Sequence, residues 1–346
     1  MVTKLLTLPL LLVLVAASLA TAQSEDQVRA ELVELITNVT VESNAIYNLQ
    51  DTYGNEMQCA KIIQIESYFY IGVYHYPYNG NFIVGISKSN DLIHWQQTSV
   101  LEFGSSQATV YRVDNDTYLM AWEQTYSTGN HIRIRYYSSL SDLLSDHSSS
   151  WVDIPPPSWV EAGKSIGTPN IFTATVNNGN IYDSTIIVGN HYGGEADRQS
   201  SFSITNLNVN DINWMRNPNT YYPHLEDSVL YWLDQESSNP GNIGGRDAIQ
   251  FKGYDFAIIE GNPSNTGNSH IDFAHWQVFL YDRQTFNADV LAVRTPCEAT
   301  AWANPHFTLI TLPNSNKLVV LTTLFIPSEG AGSCPSSTLI YYNVVG

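Results

Sequence analysis

The chain has 346 residues, 43% of them hydrophobic and 14% charged, with 33 Asp and Glu against 15 Lys and Arg, for a formal charge of -18 at pH 7. So acidic a surface excludes nucleic acid as a partner, because phosphates are neutralised by Lys and Arg. It disfavours polyanionic glycans for the same reason, and leaves a neutral ligand or a cation as the better fit.

The first element in chain order is a leader. Lys4 supplies the positive start, Leu5 to Ala17 an apolar run, and Ala20-Thr21-Ala22 a small-x-small cleavage site. This predicts a signal peptide over residues 1–22, a mature chain from Gln23, and secretion to the extracellular space. The run is shorter than the roughly 20 residues that span a bilayer. No later stretch is long and apolar enough to cross one, so no membrane attachment is expected.

Residues 25 to 37 read as a short amphipathic helix capped by Ser24 or Asp26. With the residues up to 50 it forms an N-terminal segment ahead of a single domain over 51–346. From there the periodicity is two rather than 3.6. Lys61 to Ile65, Tyr68 to Tyr74, Phe82 to Ser87 and the stretch after Trp95 make one meander, with Asn79-Gly80 as a hairpin turn. A second meander runs from Ala108 to Ile154, a third from Asn170 to Arg216, a fourth from Asp247 to Val293, and a fifth from Pro305 to Val344.

The meanders are punctuated by a recurring phrase. Ser89-Asn90-Asp91-Leu92-Ile93-His94-Trp95 closes the first, Ser141-Asp142-Leu143 with Trp151 the second, and Asn210-Asp211-Ile212-Asn213-Trp214 the third. A period of roughly 50 to 70 residues suits one four-stranded propeller blade with loop insertions. The fifth unit lacks an outer strand, and Ala45 to Leu49 is the segment expected to close the ring there. The fold class is therefore all-β: a five-bladed β-propeller of four-stranded antiparallel blades with a short N-terminal helix. It is expected to act as a monomer.

Three cysteines, Cys59, Cys297 and Cys334, are present. In an oxidising compartment two should pair. Cys297 and Cys334 flank the last blade and are the expected disulfide, leaving Cys59 as a buried thiol. Asn38-Val39-Thr40 and Asn115-Asp116-Thr117 are glycosylation sequons, which makes Asn38 and Asn115 the expected glycan carriers.

The Ser-x-Asp-Leu-x-x-Trp turns within a secreted five-unit β chain resemble the five-bladed propeller glycoside hydrolases. The nearest likeness is to family 43 (arabinanases, xylosidases and galactanases) and its relatives. Gly167-Thr168-Pro169-Asn170-Ile171 resembles the Glu-Gly-x-Pro-x-Ile phrase that opens the third blade there, and Arg246-Asp247 and Asn304-Pro305 resemble later blade openings. The resemblance covers roughly residues 55 to 345. It implies glycosidic hydrolysis by a carboxylate triad, but this chain has Ile166 where the family places its general acid. Gln58-Cys59 stands at the general base and Ser106-Gln107 near the remaining aspartate.

Propeller geometry shows where a replacement site would lie. The starts of the innermost strands and the ends of the second strands meet at one mouth. The second strands end in His75, Glu123, His191 and Glu260. Glu123, beside Trp122, is the expected general acid, since burial raises a carboxyl pKa. Glu260 is the expected base across the mouth, with Asp247 as the alternative base and Arg246 as its neighbour.

The expected substrate-binding residues are His75, Gln107, Trp122, His191, Glu195, Asp197, Arg198, Arg246 and His306. Tyr74, Tyr76, Tyr78, Tyr126, Tyr192 and Trp302 are further aromatics placed near the mouth. His75, His191 and His306 do not have the spacing of a metal motif, so no metal ligand is assigned, and a structural calcium on the axis is the one cofactor left open. The expected partner is a neutral polysaccharide or oligosaccharide. The expected activity is glycoside hydrolysis, and the alternative is a non-catalytic, lectin-like propeller using the same pocket.

Overall fold

The computed structural model describes residues 23–39, 44–114, 116–194, 196–215, 223–236, 241–263 and 273–346, with the backbone alone at 234–236 and 246. The leader, Asn115 and Glu195 lie outside the described residues. Helix α1 (Glu25–Thr37) opens the described chain, followed by strand β1 (Ala45–Tyr47). Blade one contains β2 (Gln58–Glu66), β3 (Phe69–Tyr78), β4 (Asn81–Ser89) and β5 (Gln96–Val100). Blade two contains β6 (Ser105–Arg112), β7 (Tyr118–Tyr126), β8 (Gly129–Tyr137) and, after the short helix α2 (Leu140–Leu144), β9 (Ser150–Ile154).

Blade three contains β10 (Ile166–Asn177), β11 (Asn180–Tyr192), β12 (Arg198–Thr205) and β13 (Ile212–Met215). Helix α3 (Leu225–Glu236) then precedes blade four, which has β14 (Asn242–Phe251), β15 (Tyr254–Asn262), β16 (Gln277–Asp282) and β17 (Asn287–Val290). Blade five has β18 (Ala303–Leu312), β19 (Lys317–Phe325) and β20 (Thr338–Val344). Its fourth strand is β1, which pairs antiparallel with β20, so the N-terminal strand closes the ring.

The recurring turn phrase has a physical basis in blade one. The Ser89 hydroxyl accepts the Asp91 and Leu92 N–H groups, and the Asp91 carboxylate accepts those of Ile93 and His94. Leu92 sits at φ 67°. The coil so formed buries Trp95, whose indole N–H donates to the Leu92 carbonyl and whose ring packs over Gly72. In blade two the equivalent tryptophan behaves differently. Trp151 is 56% exposed, and Arg133 lies over its ring at 4.8 Å. It covers a surface ion pair instead of filling a blade. The turn Asn79-Gly80 has φ of 50° and 81°, the left-handed pair that an antiparallel two-residue hairpin requires.

Helix α1 begins with a capping box, in which Ser24 and Gln27 satisfy each other's backbone N–H groups. Its Val28, Leu32, Leu35 and Ile36 are buried against Phe256, Leu280, Val320 and Tyr341 of blades four and five. Its last turn is held from below, because the Asn343 amide donates to the carbonyls of Leu35 and Asn38. The Asn38 sequon residue is thus the half-buried C-cap of α1. The helix seals the edge where the first and last segments of the ring meet. Leu32→Ala is expected to cost about 2–5 kcal/mol of unfolding free energy, measured by denaturant titration. An exposed helix face would show almost no change.

Candidate active site

Each innermost strand begins with the same irregularity. The ladders between first and second strands skip from Gln58 to Lys61, Ser106 to Thr109, Gly167 to Asn170, Gly244 to Asp247 and Ala303 to His306. In four of the five bulges a residue takes left-handed backbone: Cys59 (φ 52°), Gln107 (54°), Thr168 (44°) and Asn304 (50°). For a non-glycine residue this conformation costs of order 1–3 kcal/mol and needs compensation from its surroundings. In three of the bulges the backbone N–H of that residue is captured by the end of the second strand in the preceding blade. His75 Nδ1 accepts the Gln107 N–H at 3.1 Å, so its Nε2 carries the proton. Glu123 Oε1 accepts the Thr168 N–H at 2.6 Å, and Glu260 Oε2 accepts the Asn304 N–H at 2.5 Å.

These strand ends line one cavity of about 740 Å³ at the mouth of the propeller. His75, Gln107, Glu123, His191, Asp197 and Glu260 all reach it. Glu123 is 7% exposed and Glu260 3%. The second oxygen of Glu123 accepts the Asn130 amide at 2.9 Å. His191 Nδ1 contacts the Thr168 hydroxyl at 2.6 Å, which ties the third blade's bulge to its own second strand. Cys59, the buried free thiol, donates to the Gln107 side chain.

The glycines here are there for space. A Cβ on Gly167 would stand 2.2 Å from Glu123 Oε1 and 2.8 Å from the His191 ring, and one on Gly244 would stand 2.4 Å from Glu260 Oε1. Gly167→Ala is therefore expected to push Glu123 off the Thr168 N–H. It should cost about 1–3 kcal/mol in stability and lower ligand affinity or turnover by roughly tenfold, for which calorimetry with activity assay is the check.

Other expected site residues are elsewhere. Asp247 is not on the cavity wall. The bulge sets it one step deeper along the axis, where it accepts Lys61 Nζ at 2.5 Å and the Phe307 N–H at 3.2 Å, with His306 Nδ1 at 3.5 Å. Burial alone would push its carboxyl up. The Lys61 ammonium and His306 outweigh burial and hold it below the usual carboxylate range. His306 is likewise buried beside Asp247 and away from the wall.

Trp122 is fully buried between blades one and two, because adjacent strand residues face opposite ways and Glu123 takes the mouth side. Arg198 donates to the carbonyls of Asp197 and Gly241, holding the blade-three hairpin to blade four. The backbone of Arg246 lies in β14. Tyr74 is buried against Asp51 and Ser87, and Trp302 belongs to the core under α1.

The aromatic lining comes instead from Phe82, Phe273, Trp276 and Phe325. A further carboxylate, Glu329, joins from the loop between β19 and β20. That loop is pinned by the Cys297–Cys334 disulfide, the expected pairing. Among the described residues no Lys or Arg lines the cavity, and no group of three or more His, Cys, Asp or Glu is placed to hold a metal ion. No helix among them is long and apolar enough to cross a membrane.

No family model and no curated protein sequence matches the chain. Solved structures do. The α-L-arabinofuranosidase of Lactobacillus brevis aligns with a TM-score of 0.53 at 9% identity, over 88% of this chain and 94% of that one. A family 43 glycoside hydrolase of Bacillus licheniformis aligns with a TM-score of 0.47 at 12% identity, over 87% of this chain and 54% of that one. A family 32 β-fructofuranosidase of Bombyx mori aligns with a TM-score of 0.46 at 11% identity, over 92% and 66%. The arabinofuranosidase alignment shows a shared fold, the five-bladed propeller.

Proposed function

We propose that this protein is a secreted glycoside hydrolase acting on a glycan without acid groups, with Glu123 and Glu260 as its acid/base pair. One observation carries the reading: two buried glutamates, from blades two and four, open into a single large cavity whose described wall holds no cation. Paired carboxylates flanking one bond are what glycosidic hydrolysis needs. The sequence departs from the family pattern at Ile166, yet a carboxylate is still delivered there. Glu123 reaches across from blade two and accepts the Thr168 N–H, two residues along from Ile166.

Glu123 accepts hydrogen bonds at both oxygens, as an acceptor-only carboxylate does, which suits it to take a proton from water. This reverses the roles expected from the sequence: the reading makes Glu123 the base, although it stands by the strand start where the family places its acid, and Glu260 the acid. Asp247, committed to Lys61, is assigned no role in the chemistry. Secretion rests on the leader read from the sequence, and the glycan class on the fold shared with an arabinofuranosidase together with the acidic, aromatic cavity.

A second reading has a specific observation in its favour. Each glutamate also ties the bulge of a neighbouring blade, a task that stands without catalysis, so the same cavity suits a lectin-like glycan binder. Release of reducing sugar from a panel of neutral polysaccharides and aryl glycosides separates the two. Release by the wild type supports the hydrolase. Glycan binding with no release from any substrate would sink it in favour of the binder.

A further inference from the structure

The polar strand ends around the mouth share a scaffold duty, with one exception. His75, Glu123 and Glu260 each hold the bulge N–H of the next blade. His191, the corresponding residue of blade three, bonds inside its own blade, through Nδ1 to the Thr168 hydroxyl at 2.6 Å. Thr168 is also the residue whose N–H Glu123 Oε1 accepts, at 2.6 Å. One residue thus holds a carboxylate with its backbone and an imidazole with its side chain. The two held groups converge, because Glu123 Oε1 and the Cε1 edge of His191 both crowd the point where a Cβ on Gly167 would lie.

Thr168 is a costly residue for this place. Its φ is 44°, and it is the β-branched member of the four left-handed bulge residues, the kind of side chain that region suits least. Such strain persists only where the surroundings hold it, and it clusters at functional sites. A glycine would relieve the backbone and still offer the N–H to Glu123, so the hydroxyl is what the threonine adds. That hydroxyl has no other partner among the described residues, and Thr168 is 5% exposed. If Nδ1 carried the ring proton, the hydroxyl proton would be left buried without an acceptor, which is costly. The hydroxyl therefore donates to Nδ1, and the proton of the neutral ring is on Nε2.

Nε2 has no protein partner among the described residues, and it is not enclosed: the ring is half-buried and lines the cavity. The corner beside Gly167 therefore sets one N–H donor against one carboxylate acceptor. A sugar hydroxyl, donor and acceptor in one group, satisfies both.

We propose that Thr168 is a positioning residue of this site: it fixes the Nε2–H tautomer of His191, and that N–H donates to a hydroxyl of the bound sugar beside Glu123. The assignment deepens the glycan reading of the same cavity and rests on it.

The test applies two measurements to the whole mature protein. Long-range proton–nitrogen correlation NMR at mildly alkaline pH is expected to show the His191 ring proton on Nε2, the signal being assigned by its loss in His191→Ala. Calorimetry then uses para-nitrophenyl glycosides of the neutral pentoses and hexoses, in a Glu260→Gln background that slows any hydrolysis. The tightest-bound glycoside is expected to lose roughly three- to tenfold in affinity in His191→Ala, Thr168→Val and Thr168→Gly, the worth of about one hydrogen bond. Thr168→Ser should recover most of the loss. Thr168→Gly keeps the bond to Glu123 and sits easily in left-handed backbone, so it should unfold at no lower temperature than wild type while binding more weakly, which a merely structural threonine would not do. Combining Thr168→Val with His191→Ala should cost no more affinity than His191→Ala alone, because both act through one N–H.

A ring proton on Nδ1 overturns the assignment, as does wild-type affinity in Thr168→Val and Thr168→Gly, or binding of none of the glycosides. Hydrolysis by the wild type with full affinity in those variants removes the assignment and keeps the hydrolase. Affinity that depends on Thr168 and His191, with no hydrolysis of any glycoside or polysaccharide by the wild type, keeps the assignment and removes the hydrolase.

Discussion

Glu123→Gln and Glu260→Gln are each expected to lower kcat on a glycan substrate by ~10²–10⁴-fold, the usual contribution of one positioned acid or base, while the protein stays folded. Glutamine keeps an oxygen in the glutamate's place, so it can still accept the Thr168 N–H in one case and the Asn304 N–H in the other. What it removes is the capacity to move a proton.

The alanine variants provide the contrast. Glu123→Ala strands the Thr168 N–H inside the wall, with a penalty of about 1–3 kcal/mol, so it should lose stability as well as activity. The two roles separate by leaving group. An aryl glycoside whose phenolate departs without protonation needs no acid, so Glu260→Gln should recover much of its rate on that substrate and Glu123→Gln should not. Full activity in both Gln variants would exclude these glutamates as the pair. Wild-type binding without turnover would point to the lectin-like reading.

How far the sequence could be read depends on which force placed each residue. The blades were legible because one physical signal repeats: alternation along strands such as β3 and β7, closed by turns whose serine and aspartate side chains replace backbone partners. The ring-closing strand near Ala45 followed from counting strands in the last unit. Glu123 and Glu260 were legible as strand ends facing a mouth. Asp247 was not, because a bulge in β14 puts Gly244 opposite Glu260 and drops Asp247 a step down the axis, and nothing in the local letters marks the extra residue.

Trp122 went astray by one step of the strand period, which sends it to the blade interface while its neighbour takes the cavity. Helix α3 is absent from the sequence reading although Leu225, Val229 and Leu233, all buried, recur at helical spacing between blades three and four. Trp276 and Glu329 lie in connections. Their place on the wall is set by the packing of two short turns and by a disulfide that joins distant segments, and local pattern carries none of that.

Lys61→Met is expected to destabilise the protein by about 3–5 kcal/mol, the penalty for leaving the other member of a buried pair uncompensated. Lys61 and Asp247 lie beneath the cavity, bridging blades one and four across the axis, and both are buried. The double variant Lys61→Met with Asp247→Leu should recover most of the loss, because apolar groups of similar size avoid the desolvation of both charges.

The pH dependence carries the opposite sign in wild type and single variant. In the wild type the folded Asp247 carboxyl is held below its ordinary value. Its stabilising contribution is therefore complete above the unfolded value of about 3.9 and is lost as pH falls through the lower folded value. Once Lys61 is gone, burial, which raises the pKa, becomes the dominant influence left. The folded carboxyl then rises above the unfolded one, and the variant should lose stability as pH climbs from about 4 to about 7. Urea titrations of both proteins at the two ends of that range are the check. Parallel pH profiles would mean that Lys61 does not hold the Asp247 charge, and that the axis beneath the cavity is stabilised by some other contact.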